Sequence, residues 1–102
     1  MEIPEHLRAY ECSDYFSSER FSRGFYDETA YLWTFYALDD LQEHAELEFL
    51  AVGRPGCDGI EWGYRKEHPG LWAFYPTEQR FEYLAPTAAE LFEGWYAGQI
   101  TV

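Results

Sequence analysis

From residue 48 to residue 85 the chain offers no link long enough for a parallel crossover, and this limits its fold more than any other feature. Residues 48–52 (EFLAV), 60–65 (IEWGYR), 71–75 (LWAFY) and 81–85 (FEYLA) are short runs rich in aromatic and aliphatic groups. Between them lie RPGCDG, KEHPG and PTEQ, segments whose Gly and Pro supply positive φ and remove backbone donors. A parallel connection needs about a dozen residues or more, so the four runs are expected to form an antiparallel meander. The 60–65 run alternates, which places Ile60, Trp62 and Tyr64 inward. Phe49 to Val52 is apolar on both faces and belongs inside the sheet.

The meander is closed by a helix. Thr87-Ala88-Ala89-Glu90 has capping-box spacing, in which the Thr hydroxyl accepts from the Glu90 amide and the Glu90 carboxylate returns to Thr87. Ala88, Leu91, Phe92, Trp95 and Tyr96 then mark one helical stripe, and Gly98 is placed to end it. Upstream, Pro4 suits a first helical position, with Ile3, Leu7 and Tyr10 on one face of a short helix. Residues 12–23 show no sustained period and read as loop, with a helical turn near Ser18-Glu19-Arg20. Phe25-Tyr26 suggests a short strand, residues 31–36 (YLWTFY) a firm one, and Asp39 or Asp40 caps a helix through about Glu46. The expected class is α+β: one domain with a mostly antiparallel sheet and helices on one face. At 102 residues a single core must carry the stability.

Charge sets the function classes. There are 19 Asp+Glu against 7 Lys+Arg, a formal net charge of -12. Nucleic acid and anionic membranes are poor partners for such a chain, because phosphate contacts need Lys and Arg. Cationic partners are favoured, and their encounter is accelerated. The carboxylates are unevenly distributed: no Lys or Arg occurs between Arg23 and Arg54, where Asp27, Glu28, Asp39, Asp40, Glu43, Glu46 and Glu48 all fall. On the expected helix, Asp39, Glu43 and Glu46 share a face, at a cost of a few tenths of a kcal/mol per like-charge pair. That stretch reads either as a landing surface for a basic protein or as a solvated face of an acidic domain. Aromatic residues make up 21% of the chain, and Tyr31, Tyr36, Trp72 and Tyr75 are expected to face away from the helices as interface anchors.

Catalytic and cofactor signals are thin. His6, His44 and His68 sit on separate segments without metal-ligand spacing, so no metal and no cofactor is expected. A Cys57–His68 nucleophile–base pair has an acidic neighbour, Asp58, which would raise the thiol pKa. Glu61 with Glu82 is one carboxylate pair among many, and RPGCDG lacks the Lys of a phosphate-binding loop. With no signal-like start and no apolar run near 18 residues, a cytoplasmic protein with reduced thiols is expected.

The order of pieces resembles the SUKH superfamily, which groups yeast cell-wall assembly regulators with bacterial toxin-immunity proteins. The resemblance is carried by IPEHLRAY, similar to a family segment LPxDYrxFl, and by Ala37-Leu38-Asp39-Asp40-Leu41, similar to sleel. Residues 49–59 resemble a fiGsdGgG strand and turn, although RPGCDG is less Gly-rich. The resemblance extends from about Ile3 to Trp95 and implies a protein-binding α+β domain rather than an enzyme. Bacterial members silence a cognate toxin, often a nuclease, by occupying it. An adaptor with several partners and a DNA-mimicking inhibitor are the alternative readings.

Overall fold

The computed structural model describes residues 3–56 and 59–102. A 3-10 helix, Glu5–Tyr10, leads into two short α-helices, α1 (Ser13–Ser17) and α2 (Glu19–Ser22). A hairpin of β1 (Phe25–Asp27) and β2 (Leu32–Phe35) forms a separate two-stranded sheet. Next come a 3-10 turn at Leu38–Asp40, strand β3 (Gln42–His44) and a second 3-10 turn at Ala45–Leu47. The meander follows as β4 (Phe49–Gly53), β5 (Glu61–Arg65), β6 (His68–Tyr75) and β7 (Arg80–Ala85), and α3 (Ala88–Tyr96) closes it. The main sheet has the order β3-β4-β5-β6-β7, and every neighbouring pair is antiparallel. The fold is α+β, as the short links require.

The main core lies between the helices and one sheet face. Leu7, Tyr10, Tyr15, Phe16, Phe21 and Leu91 come from the helical side, and Leu50, Val52, Trp62, Tyr64 and Leu71 from the sheet. Two inward residues on β5 thus match their alternation, and Ile60 joins a smaller buried cluster with Ala73 and Tyr75. The helix ends are tied to this core by polar atoms. Thr87 Oγ1 accepts from Glu90 N at 3.1 Å, as a cap should, while the return bond from the Glu90 carboxylate is not formed among the described residues. Asp14 of α1 does more: Oδ2 accepts from Ala88 N at 2.7 Å, and Oδ1 from the buried Tyr64 hydroxyl at 2.8 Å. One carboxylate therefore joins the first helices, the sheet and the last helix.

The opposite sheet face is strongly concave. Phe49 on β4 and Phe81 on β7 have ring centroids 5.4 Å apart, although two strands separate them. Three strand spacings span about 14 Å in a flat sheet, so the sheet must curl for these rings to meet. Gly63 occupies the middle of that face, opposite Ala51 and Trp72. A Cβ there would strike the Leu50 carbonyl, so β5 can approach β4 this closely only with glycine. Arg65 covers the hollow, its guanidinium 4.1 Å from the Phe81 ring centre and 4.7 Å from that of Trp72.

Two expectations fail. The helical turn expected near Ser18-Glu19-Arg20 is α2, capped by Ser18, but residues 13–17 are not loop: they form α1, too short to display a period. The helix expected from Asp39 or Asp40 to Glu46 is absent. In its place Gln42, Glu43 and His44 pair with Ala51, Leu50 and Phe49 of β4, so the main sheet recruits this segment as an edge strand. Tertiary pairing outweighs the local helical pattern there.

Candidate protein-binding surface

The cation-free stretch forms one side of the molecule. β3 pairs with Phe49, Leu50 and Ala51, while the end of β2 joins the same strand one residue on, where Tyr36 N donates to Val52 O at 2.6 Å. The hairpin, the two 3-10 turns and β3 are therefore laid along the β4 side of the sheet, away from β7. Residues 24–53 hold seven of the 19 carboxylates and none of the seven Lys and Arg, so they contribute -7 of the formal -12. Asp39, Asp40, Glu46 and Glu48 are exposed in the turns, and Glu28 in the hairpin loop.

The expected site residues divide into those that are available and those already engaged. Asp39, Glu43 and Glu46 share no helical face: Asp39 and Glu46 lie in different turns and Glu43 on the strand between them. Glu43 points to the helical side, accepting from the Tyr10 hydroxyl at 3.0 Å, with His6 Nε2 at 3.8 Å. Burial, and then this carboxylate, push the Tyr10 phenol well above its ordinary pKa. His44 points to the concave face, where Nε2 donates to Glu61 Oε1 at 3.0 Å across the small Ala51. Tyr36 is half-buried, its pKa raised by burial and then by the Glu61 carboxylate.

The anchor candidates separate as well. Tyr75 is buried at 7% exposure beside Ile60 and Ala73, with Arg80 over its ring at 4.1 Å, and cannot serve as an exposed anchor. Trp72 does face away from the helices, but it lies half-buried under Arg65, its Nε1 donating to the His68 and Pro69 carbonyls. Tyr31 alone of the four is fully presented, at 81% exposure. Asp27 is partly structural: Oδ1 accepts from the Thr29 and Ala30 amides, and Oδ2 from the Tyr96 hydroxyl at 2.9 Å. The Ala30 amide, followed by the Tyr96 phenol, holds the Asp27 carboxyl below its usual pKa, so it remains charged.

Tyr26 and Trp33 escaped the sequence reading. They are a cross-strand pair of the hairpin, 42% and 45% exposed, with ring centroids 5.4 Å apart. The loop between their strands carries no Gly, Pro or Asn to mark a turn, so nothing in the residue string joined them. One open depression, of about 510 Å³, lies among Ile60, Tyr75, Arg80 and Val102. Among the described residues no group of three His, Cys, Asp or Glu could hold a metal ion. Cys57 lies outside the described residues, so the Cys57–His68 pair has no geometry. Among the described residues no helix is long and apolar enough to cross a membrane. No family model, curated protein or solved structure matches this chain.

Proposed function

We propose that this chain is a protein-binding domain that occludes a basic protein, most simply an immunity protein acting on a cognate toxin in the cytoplasm. One observation carries the proposal: residues 24–53, with seven carboxylates and no Lys or Arg of their own, are laid along the β4 side of the sheet. A field of one sign on one side steers a cationic surface toward it and orients the encounter, while wrong partners are repelled. The resemblance to SUKH domains supplies the toxin as the partner class. Asp39, Asp40, Glu46 and Glu48, exposed in the turns and in no ion pair among the described residues, provide the steering.

The test begins with co-purification from the native host and identification of what binds. Affinity of the purified pair is then measured over a range of salt for the wild type and for Asp39→Lys/Glu46→Lys. The variant is expected to bind at least tenfold more weakly near about 0.05 M salt, with the difference shrinking as the Debye length contracts. Equal affinity and equal salt dependence would remove this surface from consideration. Several unrelated partners of similar affinity would favour an adaptor, and displacement by DNA would favour a phosphate-mimicking inhibitor.

A further inference from the structure

Among the described residues, four of the five large hydrophobic residues that are most exposed, Tyr26, Tyr31, Trp33 and Tyr96, gather on or against the β1–β2 hairpin. Their exposure is built in. Phe25, on the hairpin's inner side, packs edge-on against Phe92 at 5.0 Å and Tyr96 at 5.5 Å. The Tyr96 hydroxyl fastens the loop through Asp27 and lies 3.0 Å from Thr34 Oγ1. The Trp33 ring rests on Gly24, where an added Cβ would come within 3.0 Å of it. Tyr31 is held at φ 57°, a conformation few aromatic residues adopt. The hairpin is thus anchored on one face and leaves rings uncovered on the other.

The rest of the chain shows what its ring faces accept. Arg20 lies over Phe92, Arg65 over Trp72 and Phe81, Lys66 over Tyr10 and Arg80 over Tyr75, at 4.1 to 5.3 Å. Among the described residues no Lys or Arg lies over Tyr26, Tyr31 or Trp33, and none occurs in the sequence between Arg23 and Arg54. The same hairpin carries the charged Asp27 and the exposed Glu28. Ring faces beside carboxylates form a receptor for guanidinium and ammonium groups. We infer that the outward face of the β1–β2 hairpin is a docking platform for an arginine- or lysine-bearing peptide segment, with Tyr26 and Trp33 receiving the cationic side chains. The inference rests on the proposed basic partner and names where that partner is gripped, at a site separate from the steering carboxylates of residues 39–48.

The test titrates the isotope-labelled full chain with a short peptide alternating Arg and Gly, following amide and indole resonances by NMR. The Trp33 indole N–H and the Tyr26 amide are expected to move together and saturate. Each exposed cation–ring contact is worth a factor of about 2–5 in affinity, so Tyr26→Ala/Trp33→Ala should weaken binding about tenfold. Trp33→Phe should retain most of the affinity, and Glu28→Lys should weaken it without touching a ring. Unchanged amide dispersion elsewhere establishes that each variant is folded. Shifts confined to residues 39–48 would overturn the hairpin platform and leave the basic-partner reading intact. Absence of any saturable shift would overturn both. Concentration-dependent movement of the Trp33 indole without peptide would make this face a contact between copies and overturn the peptide platform.

Discussion

Asp14 is the position where one small change should do the most damage. Its carboxylate accepts from the Ala88 amide at 2.7 Å and from the Tyr64 hydroxyl at 2.8 Å, and Tyr64 is only 1% exposed. Hydrogen bonds to a charged group contribute about 1.5–3 kcal/mol each, and a buried donor left unpaired carries its desolvation cost. Asp14→Ala removes both bonds and strands the Tyr64 hydroxyl, so about 3–5 kcal/mol should be lost. A domain of this size has about 5–15 kcal/mol in total, which makes the loss a large fraction of it. Asp14→Asn keeps the shape. Its amide oxygen can still accept from Ala88 N, and its NH2 can donate to the Tyr64 oxygen, so about 1–2 kcal/mol is expected. Urea unfolding followed by circular dichroism reads both values, with the m-value as the check on two-state behaviour. A cycle with Tyr64→Phe should give a coupling of about 1–2 kcal/mol to Asp14. If Asp14→Ala costs less than about 1 kcal/mol, or matches Asp14→Asn, the carboxylate is not the tie described above.

Alkaline pH should unfold the chain abruptly. Burial raises the phenols of Tyr10, Tyr15 and Tyr64 above the ordinary value of about 10, each further lifted by a neighbouring acidic or polar group. Because the folded pKa is the higher one, their stabilisation is complete below about pH 10 and is lost as pH rises above it. Each phenol removes about 1.4 kcal/mol per pH unit there. Phenolate absorbance and circular dichroism should change together; ionisation of all the tyrosines in a chain that keeps its dichroism would contradict this. Gly63→Ala should cost about 3 kcal/mol or more, since its Cβ meets the Leu50 carbonyl rather than a movable side chain. Gly98→Ala, with nothing within 4 Å, should cost only the strain of its φ of 76°, about 1–2 kcal/mol, and the pair of denaturation curves makes the comparison.

The meander and its closing helix were legible because their signals are local. Link length fixed the strand pairing, alternation set Trp62 and Tyr64 inward, and Thr87 announced the helix start. Residues 38–48 were misread for the opposite reason. Leu38, Leu41 and Ala45 have helical spacing, but β4 offers a free edge, and ladder bonds to Phe49, Leu50 and Ala51 capture the segment. The charge gap could be read from the string, whereas its concentration on one side depended on β2 and β3 flanking the same strand. Tyr75 was misjudged because alternation along β6 sets it on the face of Leu71 and Ala73, opposite Trp72, where the smaller cluster with Ile60 buries it. The Tyr26–Trp33 pair was hidden because Asp27, through its own carboxylate, makes the turn that Gly or Asn would have advertised.

The reach of Asp14 also bears on how the chain is made. Its two partners lie 50 and 74 positions downstream, so this tie closes last, after the Tyr10 and Tyr15 hydroxyls can already reach Glu43, Tyr36 and Val52. Until residue 88 has left the ribosome, the carboxylate lacks its partner on the closing helix, and a messenger truncated before that codon would yield a product whose front end misses that one bond.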